Sequence, residues 1–337
     1  WRCGKERGFA KSVKRSGGDE VNPQKGELIA TREGYGDGIV EVGEKYKNAV
    51  VLDADLAKST RSLKFGKKFP DRFFYVGINE ADLIGMAAGL ALSGKIAFAS
   101  SFAAFVTNRC YDQIKMSVAY SGANVKIIES HGGIITGQDG PSAQSILDVS
   151  IMRTMPGMAV IVPADYYETK QATLAIAEHI GACYLRTTRE GVPVLFDDNH
   201  KFEIGKAQVL EDGKDVSLIA CGPMVAQALQ AKKLLNEKRI SCSVINMPTI
   251  KPIDYKAIVK AAMNSNLIVA CEDHSIIGGL GSAVAEVLSE KKPTKLVRVG
   301  VNDVFSESGK PTELYQKYGL DSKSIVKKVE VSLKETN

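Results

Sequence analysis

Side chains able to perform acid–base and anion-binding chemistry follow several apolar runs of the sequence. These side chains, each just beyond such a run, are Asp53, Asp55, Glu80, His131 and Arg186. If the runs are parallel strands, their carboxyl ends meet at one edge of a sheet, where α/β proteins bind ligands. Carboxylates, an imidazole and a guanidinium at that edge indicate a small-molecule site but do not name its reaction.

The elements that position these side chains alternate between strands and helices. Short apolar runs predict strands, and stretches with apolar residues at helical spacing lie between them. The predicted strands of the first part of the chain are 49–52, 73–76, 96–99, 125–129, 159–162 and 183–185, and the helices are 81–92, 103–119, 145–155 and 165–180. This alternation predicts a mostly parallel sheet covered by helices on both faces.

A polar, turn-rich stretch interrupts the alternation, which then resumes in shorter form. The later strands are predicted at 216–221, 242–246, 267–271 and 296–299, and the helices at 224–237, 254–263, 280–289 and 322–333. We therefore predict the α/β class with two three-layer α/β/α domains, the second smaller. The predicted boundaries are a disordered extension at 1–26, a first domain at 27–190, a linker at 191–213 and a second domain at 214–337.

Composition narrows the possible partners. The 337 residues are 44% hydrophobic and 25% charged, which is typical of a soluble globular protein. The net charge of +5 is spread along the chain, so we do not expect nucleic-acid binding, which usually needs a concentrated basic face.

No apolar run is long enough to cross a membrane and no secretory signal is visible, which favours the cytoplasm. The six cysteines form no C-x-x-C pair, and the last four lie in apolar, strand-like runs, where we expect buried free thiols.

Three stretches carry a resemblance to a known family. The stretch 53–105, which contains VGINEADLIG and SSFAAF, resembles the pyrimidine-binding domain of split transketolase C-terminal subunits. The stretch 130–165, which begins SHGGIITGQDGPSAQ, continues this similarity. CEDHSIIGGLGSA at 271–283 resembles their C-terminal domain. The resemblance runs from about residue 28 to the end, and it implies a thiamine-diphosphate-fold domain followed by a smaller transketolase C-terminal domain.

The resemblance implies that Glu80 touches N1′ of the aminopyrimidine of thiamine diphosphate. A carboxyl that shares a proton with this nitrogen activates the cofactor, and it must be buried to do so. From its residue type alone, Glu80 could instead only stabilise a helix N-terminus. Phe105 matches the ring that stacks on the aminopyrimidine, with Phe102 beside it, although two core aromatics would show the same spacing. Asp55 matches a carboxylate at the border of cofactor and partner subunit.

A second set of residues matches the positions that bind sugar phosphates in transketolases. Arg32, Ser59, His131 and Arg186 are expected at the phosphate, since arginine pairs bidentately with phosphate oxygens. Asp139 matches the aspartate that contacts substrate hydroxyls. Taken singly, each arginine could be a surface ion pair, and Asp139 a turn residue before glycine. Their joint match to the family is what favours the binding role.

One loop departs from the family pattern. Split and full-length transketolases carry a histidine in DG-[AP]-[ST]-H-Q that bonds to the donor sugar, and this chain has Ala143 at that place, followed by Gln144. Either the substrate differs from the usual ketose phosphates, or Gln144 or His131 takes over, or turnover is weak. We therefore include His131 with Glu80 among the candidate catalytic residues.

The motif that binds magnesium and diphosphate in this family is incomplete here. Gly36-Asp37-Gly38 resembles its first part, but 62–68 reads SLKFGKK and has no asparagine for its second. A hard cation needs a set of oxygen ligands, and we expect a separate transketolase N-terminal subunit to supply them. The implied cofactors are thiamine diphosphate and Mg²⁺, the metal bound mainly by that partner. We expect a heterotetramer in which this chain also self-dimerises.

The resemblance implies transfer of a two-carbon ketol unit from a ketose phosphate to an aldose phosphate. Two alternatives with the same cofactor stay open, namely an enzyme like deoxyxylulose-phosphate synthase and one like the β subunit of 2-oxo-acid dehydrogenases. A third is a non-catalytic subunit that keeps the fold, which Ala143 makes worth testing.

Overall fold

A computed structural model describes residues 23–335 of the chain. Its strands are β1 (Leu28–Ala30), β2 (Ala49–Asp53), β3 (Phe73–Tyr75), β4 (Ile96–Phe102), β5 (Val125–Ser130), β6 (Ala159–Ile161), β7 (Cys183–Arg186), β8 (Gly191–Pro193), β9 (Gln208–Glu211), β10 (Val216–Ala220), β11 (Cys242–Asn246), β12 (Thr249–Lys251), β13 (Leu267–Ser275) and β14 (Lys295–Val301). Its α-helices are α1 (Thr31–Lys45), α2 (Ala57–Thr60), α3 (Leu63–Lys68), α4 (Glu80–Leu92), α5 (Ala103–Arg109), α6 (Tyr111–Gln113), α7 (Asp148–Thr154), α8 (Tyr166–Glu178), α9 (Met224–Glu237), α10 (Tyr255–Asn264), α11 (Leu280–Lys291), α12 (Pro311–Tyr318) and α13 (Ser322–Lys334). A π-helix covers Ile114–Tyr120, and 3₁₀ helices cover Pro70–Arg72 and Ile134–Asp139.

The first domain is built on a seven-stranded sheet in the order β12-β6-β7-β5-β4-β2-β3. Every pairing in it is parallel except that of β12 with β6. Helices α1, α3 and α8 bury apolar side chains against one face, and α4, α5 and α7 against the other. The predicted three-layer α/β/α arrangement is confirmed.

The second domain is built on a five-stranded sheet in the order β14-β13-β10-β11-β9. The pairings are parallel except that of β9 with β11. Helices α9 and α13 cover one face, and α10 and α11 cover the other. This smaller α/β/α domain also agrees with the predicted fold class.

The connection between the two domains forms strands, and one later strand returns to the sheet of the first domain. The stretch 191–213, expected as a linker, contains β8, which pairs with β1, and β9, which joins the second sheet. After β11 the chain returns to the first sheet as β12. Most of the predicted disordered extension, residues 1–22, lies outside the described residues. The remainder, 23–26, is held to the first domain, because the Gly26 N–H donates to the Val194 carbonyl at 2.9 Å.

Two predicted elements differ in their bounds in a way that matters for the site. The helix predicted at 103–119 is divided at Cys110, whose backbone leaves the helical conformation, and continues as α6 and a π-helix. Strand β13 runs on to Ser275, past its predicted end at 271, and so carries buried acidic side chains toward the first domain. Cys183, Cys221, Cys242 and Cys271 are buried free thiols, as predicted, and Cys110 is a buried free thiol as well. Within 23–335, no helix combines the length and apolar character that a membrane span requires.

Candidate active site

Glu80 is the first residue of α4, directly after the loop that follows β3. Asn79 caps this helix, because its side-chain oxygen accepts a hydrogen bond from the Asp82 N–H at 3.3 Å. The Glu80 side chain is buried, and its Oε1 accepts a hydrogen bond from Arg109 Nη1 at 3.0 Å. The fold thus presents a buried carboxyl at the edge of the sheet where the sequence predicted a ligand site.

A row of stacked rings connects the surroundings of Glu80 to the loop after β5. The rings of Phe105 and Phe102 lie 5.4 Å apart between centroids, and those of Phe102 and His131 lie 3.6 Å apart. The Arg109 guanidinium lies 4.5 Å from the Phe105 centroid, so it contacts both Phe105 and Glu80. Glu80, Phe105, Phe102 and His131, which the sequence proposed as site residues, are therefore neighbours.

His131 has an unusual backbone and an uncharged ring. Its φ is 64°, in the left-handed region, and its Nδ1 lies 3.0 Å from Ser130 Oγ. Burial lowers the pKa of His131 to about 3, and the positive charges of Arg32 and Arg189 contribute. The imidazole is therefore neutral at pH 7. Its Nε2 lies 3.7 Å from Asp139 Oδ2, which is beyond hydrogen-bond distance.

Two arginines supply positive charge beside His131. Arg32 Nη1 donates to the Ser59 carbonyl at 3.0 Å, which brings Ser59 beside it. Burial lowers the pKa of Arg32 to about 10, helped by the charge of Arg61, so Arg32 stays protonated at pH 7. Arg189 forms an ion pair with Asp139. The sequence analysis missed Arg189, although it lies only three residues beyond Arg186.

Arg186, which the sequence predicted at the phosphate, contacts other groups than these two arginines do. Its side chain is only 4% exposed, and its Nε lies 2.9 Å from Oδ2 of the fully buried Asp148. Its Nη2 donates to the carbonyls of Ser145 at 2.7 Å and Asp273 at 3.0 Å. The Arg186 guanidinium therefore contacts groups of both domains, Ser145 in the first and Asp273 in the second, through Nη2.

A hydrogen-bonded turn positions Asp55 and Ser59 after β2. Asp53 Oδ1 accepts from the Leu56 N–H at 2.6 Å, and its Oδ2 accepts from the hydroxyls of Thr60 at 2.9 Å and Ser62 at 2.8 Å. Asp55 is exposed and has a left-handed φ of 65°. The three hydrogen bonds to the buried Asp53 therefore fix the shape of the turn that carries Asp55 and Ser59.

Gln144 cannot replace the histidine that the family carries next to it. Its Nε2 donates to the carbonyls of Gly137 at 2.7 Å and Glu307 at 3.0 Å, and its Oε1 accepts from the Ser306 hydroxyl. The side chain is buried between the loop that ends at Asp139 and a loop of the second domain. Of the two substitutes considered from the sequence, His131 is the one whose ring lies within the site.

Glu129 is a buried acid that the sequence did not identify as unusual. It lies on β5 beside Ser101 of β4, and neither its carboxyl oxygens nor the Ser101 hydroxyl has a hydrogen-bond partner within 23–335. Burial raises the pKa of Glu129 well above its ordinary value, and the charges of Asp53, Asp148 and Glu80 raise it further. Its surroundings thus favour the neutral form of the Glu129 carboxyl beneath the site.

The Gly36-Asp37-Gly38 motif lies within α1, on a different face of the domain from α4. The Asp37 carboxylate forms an ion pair with Lys64 and accepts a hydrogen bond from the Tyr166 hydroxyl at 2.8 Å. These contacts give the aspartate a structural role that joins α1 to α3 and α8.

The acid, the stacked rings and the two arginines lie at the carboxyl end of the parallel sheet in a protein of two α/β domains. Two family models match this chain: the transketolase pyrimidine-binding domain over residues 27–194 and the transketolase C-terminal domain over residues 205–325. The chain belongs to the transketolase family.

Relatives and a solved structure resemble the chain over nearly its whole length. A putative transketolase C-terminal section from Methanocaldococcus jannaschii is 48% identical over 90% of this chain and 96% of its own. The 6-deoxy-6-sulfo-D-fructose transketolase subunit SqwH from Clostridium sp. is 43% identical over 88% of this chain and 92% of its own. A structure described as a split gene transketolase, inactive beta4 tetramer, has a TM-score of 0.86 and 47% identity, and it covers 91% of this chain and 99% of its own.

Proposed function

We propose that the chain is one subunit of a thiamine-diphosphate-dependent transketolase, which moves a two-carbon ketol unit from a ketose phosphate to an aldose phosphate. The continuity of the site carries this proposal. Phe102 stacks on Phe105 on one side and on His131 on the other, so a cofactor beside Glu80 and a sugar beside His131 would be adjacent.

The residues around Glu80 fit an aminopyrimidine. The Arg109 guanidinium is a flat group with N–H donors, and it lies over the Phe105 ring while it donates to Glu80. A flat nitrogen heterocycle could make the same two contacts. Arg109 is 56% exposed, so it can move aside. We assign the aminopyrimidine to Glu80, Phe105 and Phe102, with Asp55 at the border to the partner.

When bound, thiamine diphosphate supplies the carbon nucleophile and the electron sink of ketol transfer. The part of this chain is to hold a proton at the Glu80 carboxyl, where it can be shared with a ring nitrogen. Burial of Glu80 limits proton exchange with bulk water. The hydrogen bond from Arg109 fixes the orientation of the Glu80 carboxyl before the cofactor binds.

Arg32, Arg189, Ser59 and His131 are suited to the phosphate end of the sugar. The two guanidiniums present planar donors that match phosphate oxygens. The same two charges help to hold the pKa of His131 down, so an incoming phosphate dianion would favour protonation of the ring. Asp139, exposed and paired with Arg189, is assigned to the sugar hydroxyls.

An exposed apolar surface beside Glu80 supports a partner subunit. Ile78 is 79% exposed and Tyr75 is 59% exposed, although both are large apolar side chains. On α4, Gly85 and Gly89 have no neighbouring atom within 4 Å of where a side chain would begin, so another helix could approach closely. We propose that a transketolase N-terminal subunit docks here, that it brings the Mg²⁺ and diphosphate site, and that the complex is a heterotetramer.

Turnover by the assembled complex tests the proposal. The chain is mixed with the N-terminal subunit, thiamine diphosphate and Mg²⁺, and is then offered xylulose 5-phosphate with an aldose phosphate, or pyruvate. We expect ketol transfer from the phosphorylated ketose. Turnover of pyruvate alone would instead indicate a decarboxylating enzyme, and no turnover with any donor would favour the non-catalytic alternative.

A sulfonated ketose is a second candidate donor. The SqwH relative is named for 6-deoxy-6-sulfo-D-fructose, and a sulfonate offers Arg32 and Arg189 the same kind of oxygen acceptors as a phosphate. Including a 6-sulfo ketose in the same assay separates the two donors by their kcat/KM values.

A further inference from the structure

Asp273, a residue of the second domain, reaches into the loop that carries His131 and Asp139. It lies on β13 and is fully buried. Its Oδ1 accepts a hydrogen bond from the Ile134 N–H at 2.9 Å, and its Oδ2 accepts one from the Ile135 N–H at 3.1 Å. These two N–H groups begin the 3₁₀ helix that leads to Asp139, so the carboxylate caps that helix from another domain.

Two further contacts hold the Asp273 carboxylate in place. The Tyr315 hydroxyl of α12 donates to Oδ2 at 2.9 Å. Burial raises the pKa of the Asp273 carboxyl, and the charge of Arg186, which donates to the Asp273 carbonyl, opposes that rise together with the three hydrogen bonds. These contacts provide the partners that a buried carboxylate needs.

The loop is fitted closely around these groups. A Cβ atom on Gly133 would lie 2.2 Å from Asp273 Oδ2, and one on Gly132 would lie 2.1 Å from Arg186 Nε. Gly133 also has a φ of 83°, which favours glycine. The segment immediately after His131 therefore lies directly on Asp273 and Arg186, with no room for a side chain.

We infer that Asp273 is a positioning residue for the sugar site: the second domain, through this carboxylate, sets the placement of His131 and Asp139. The inference rests on the proposed function, in which both residues contact the sugar phosphate. Asp273 itself touches neither cofactor nor sugar. Misplacement of binding groups by about 1 Å lowers catalytic efficiency by as much as about 100-fold.

A matched control lies next to Asp273 on the same strand. Glu272 is equally buried and also accepts two backbone N–H groups, from Leu280 at 2.7 Å and Gly281 at 2.8 Å. Those groups begin α11 within the second domain, away from the loop. Asp273→Asn and Glu272→Gln each remove one carboxylate oxygen from a buried helix cap, but only the first change affects the loop.

The experiment measures KM and kcat of the assembled complex for its phosphorylated donor, with amide hydrogen exchange of residues 131–139 in the full chain. For Asp273→Asn we expect KM to rise about 10- to 100-fold, kcat to change less, and loop exchange to accelerate. Glu272→Gln should leave KM within about twofold. Tyr315→Phe, which removes one donor and keeps the carboxylate, should raise KM in the same direction by a smaller factor.

The outcomes separate the inference from the proposed function. Equal changes of KM in Asp273→Asn and Glu272→Gln, or an unchanged KM in Asp273→Asn, would overturn the positioning role. If the wild-type complex turns over no phosphorylated ketose, the proposed function fails. The hydrogen-exchange measurement then tests the positioning role of Asp273 by itself. Faster exchange in the loop of Asp273→Asn but not of Glu272→Gln supports the role, and equal exchange rejects it. If Asp273→Asn does not fold, Tyr315→Phe gives the same comparison.

Discussion

Replacing Gly133 with alanine tests how tightly the two domains meet at the candidate site. Gly133 has a φ of 83° and a ψ of 172°, a backbone conformation that is essentially restricted to glycine, and it costs an alanine about 1–3 kcal/mol. The new Cβ atom would lie 2.2 Å from Asp273 Oδ2, so the carboxylate must retreat from the Ile134 and Ile135 N–H groups. Loss of one such bond to a charged group adds about 1.5–3 kcal/mol. We therefore expect a total loss of about 2.5–6 kcal/mol in the free energy of unfolding.

Gly157→Ala is the control for a positive φ without a steric clash. Its φ is 71°, and no atom lies within 4 Å of its Cβ position. Urea unfolding of both variants, followed by circular dichroism and compared at equal slopes, should show a loss of only about 1–2 kcal/mol for Gly157→Ala. If the two variants lose the same stability, the close contact between Gly133 and Asp273 does not exist as described.

Three further predictions concern the arginines, the buried acid and the partner surface. Arg189→Ala should raise the KM for the phosphorylated donor about 10- to 100-fold in steady-state kinetics, through loss of a charged hydrogen bond. Arg186→Ala should instead lower the free energy of unfolding in urea by about 3–5 kcal/mol, because it breaks a buried ion pair. A loss of stability in Arg189→Ala together with a raised KM but normal stability in Arg186→Ala would contradict this assignment. Because burial raises the pKa of Glu129, the stability of the wild type falls as pH rises above the ordinary carboxyl value of about 4.5. Glu129→Gln removes this dependence and should gain stability over the wild type as pH rises above that value, and parallel pH profiles of urea unfolding would exclude the effect. Ile78→Asp should weaken binding to the N-terminal subunit about 10- to 100-fold in calorimetry, the value of one buried isoleucine, while Ile180→Asp, at a side chain that is 89% exposed on the far end of the domain, should not.

Much of the fold could be predicted because its strands and helices have clear periodicities. Helix α9 and strand β11 were placed at their observed bounds, since each is an apolar segment between polar turns. Strand β12 was missed because three residues carry no periodicity, and its partner β6 is far away in the sequence. The division of the helix at Cys110 was also missed, since the apolar spacing continues across it.

The candidate site could be predicted where position along a strand determines it. Glu80, Phe102 and His131 follow strands whose ends meet, and the structure brings them together. Arg186 and Arg189 could not be assigned in this way. Arg186 ends β7 and Arg189 follows it closely, and their different surroundings depend on Asp148 and Asp273, which approach from other elements. The orphaned carboxyl of Glu129 likewise depends on neighbours on another strand.

Turnover by a Glu80→Gln variant in the assembled complex tests the central claim most directly. Glutamine keeps the size of the side chain but cannot share a carboxyl proton with a ring nitrogen. With the N-terminal subunit, thiamine diphosphate and Mg²⁺ present, we predict that kcat for ketol transfer falls by about 100- to 10,000-fold, while the complex still assembles. Unchanged turnover would contradict the account, because the chemistry would then lie elsewhere.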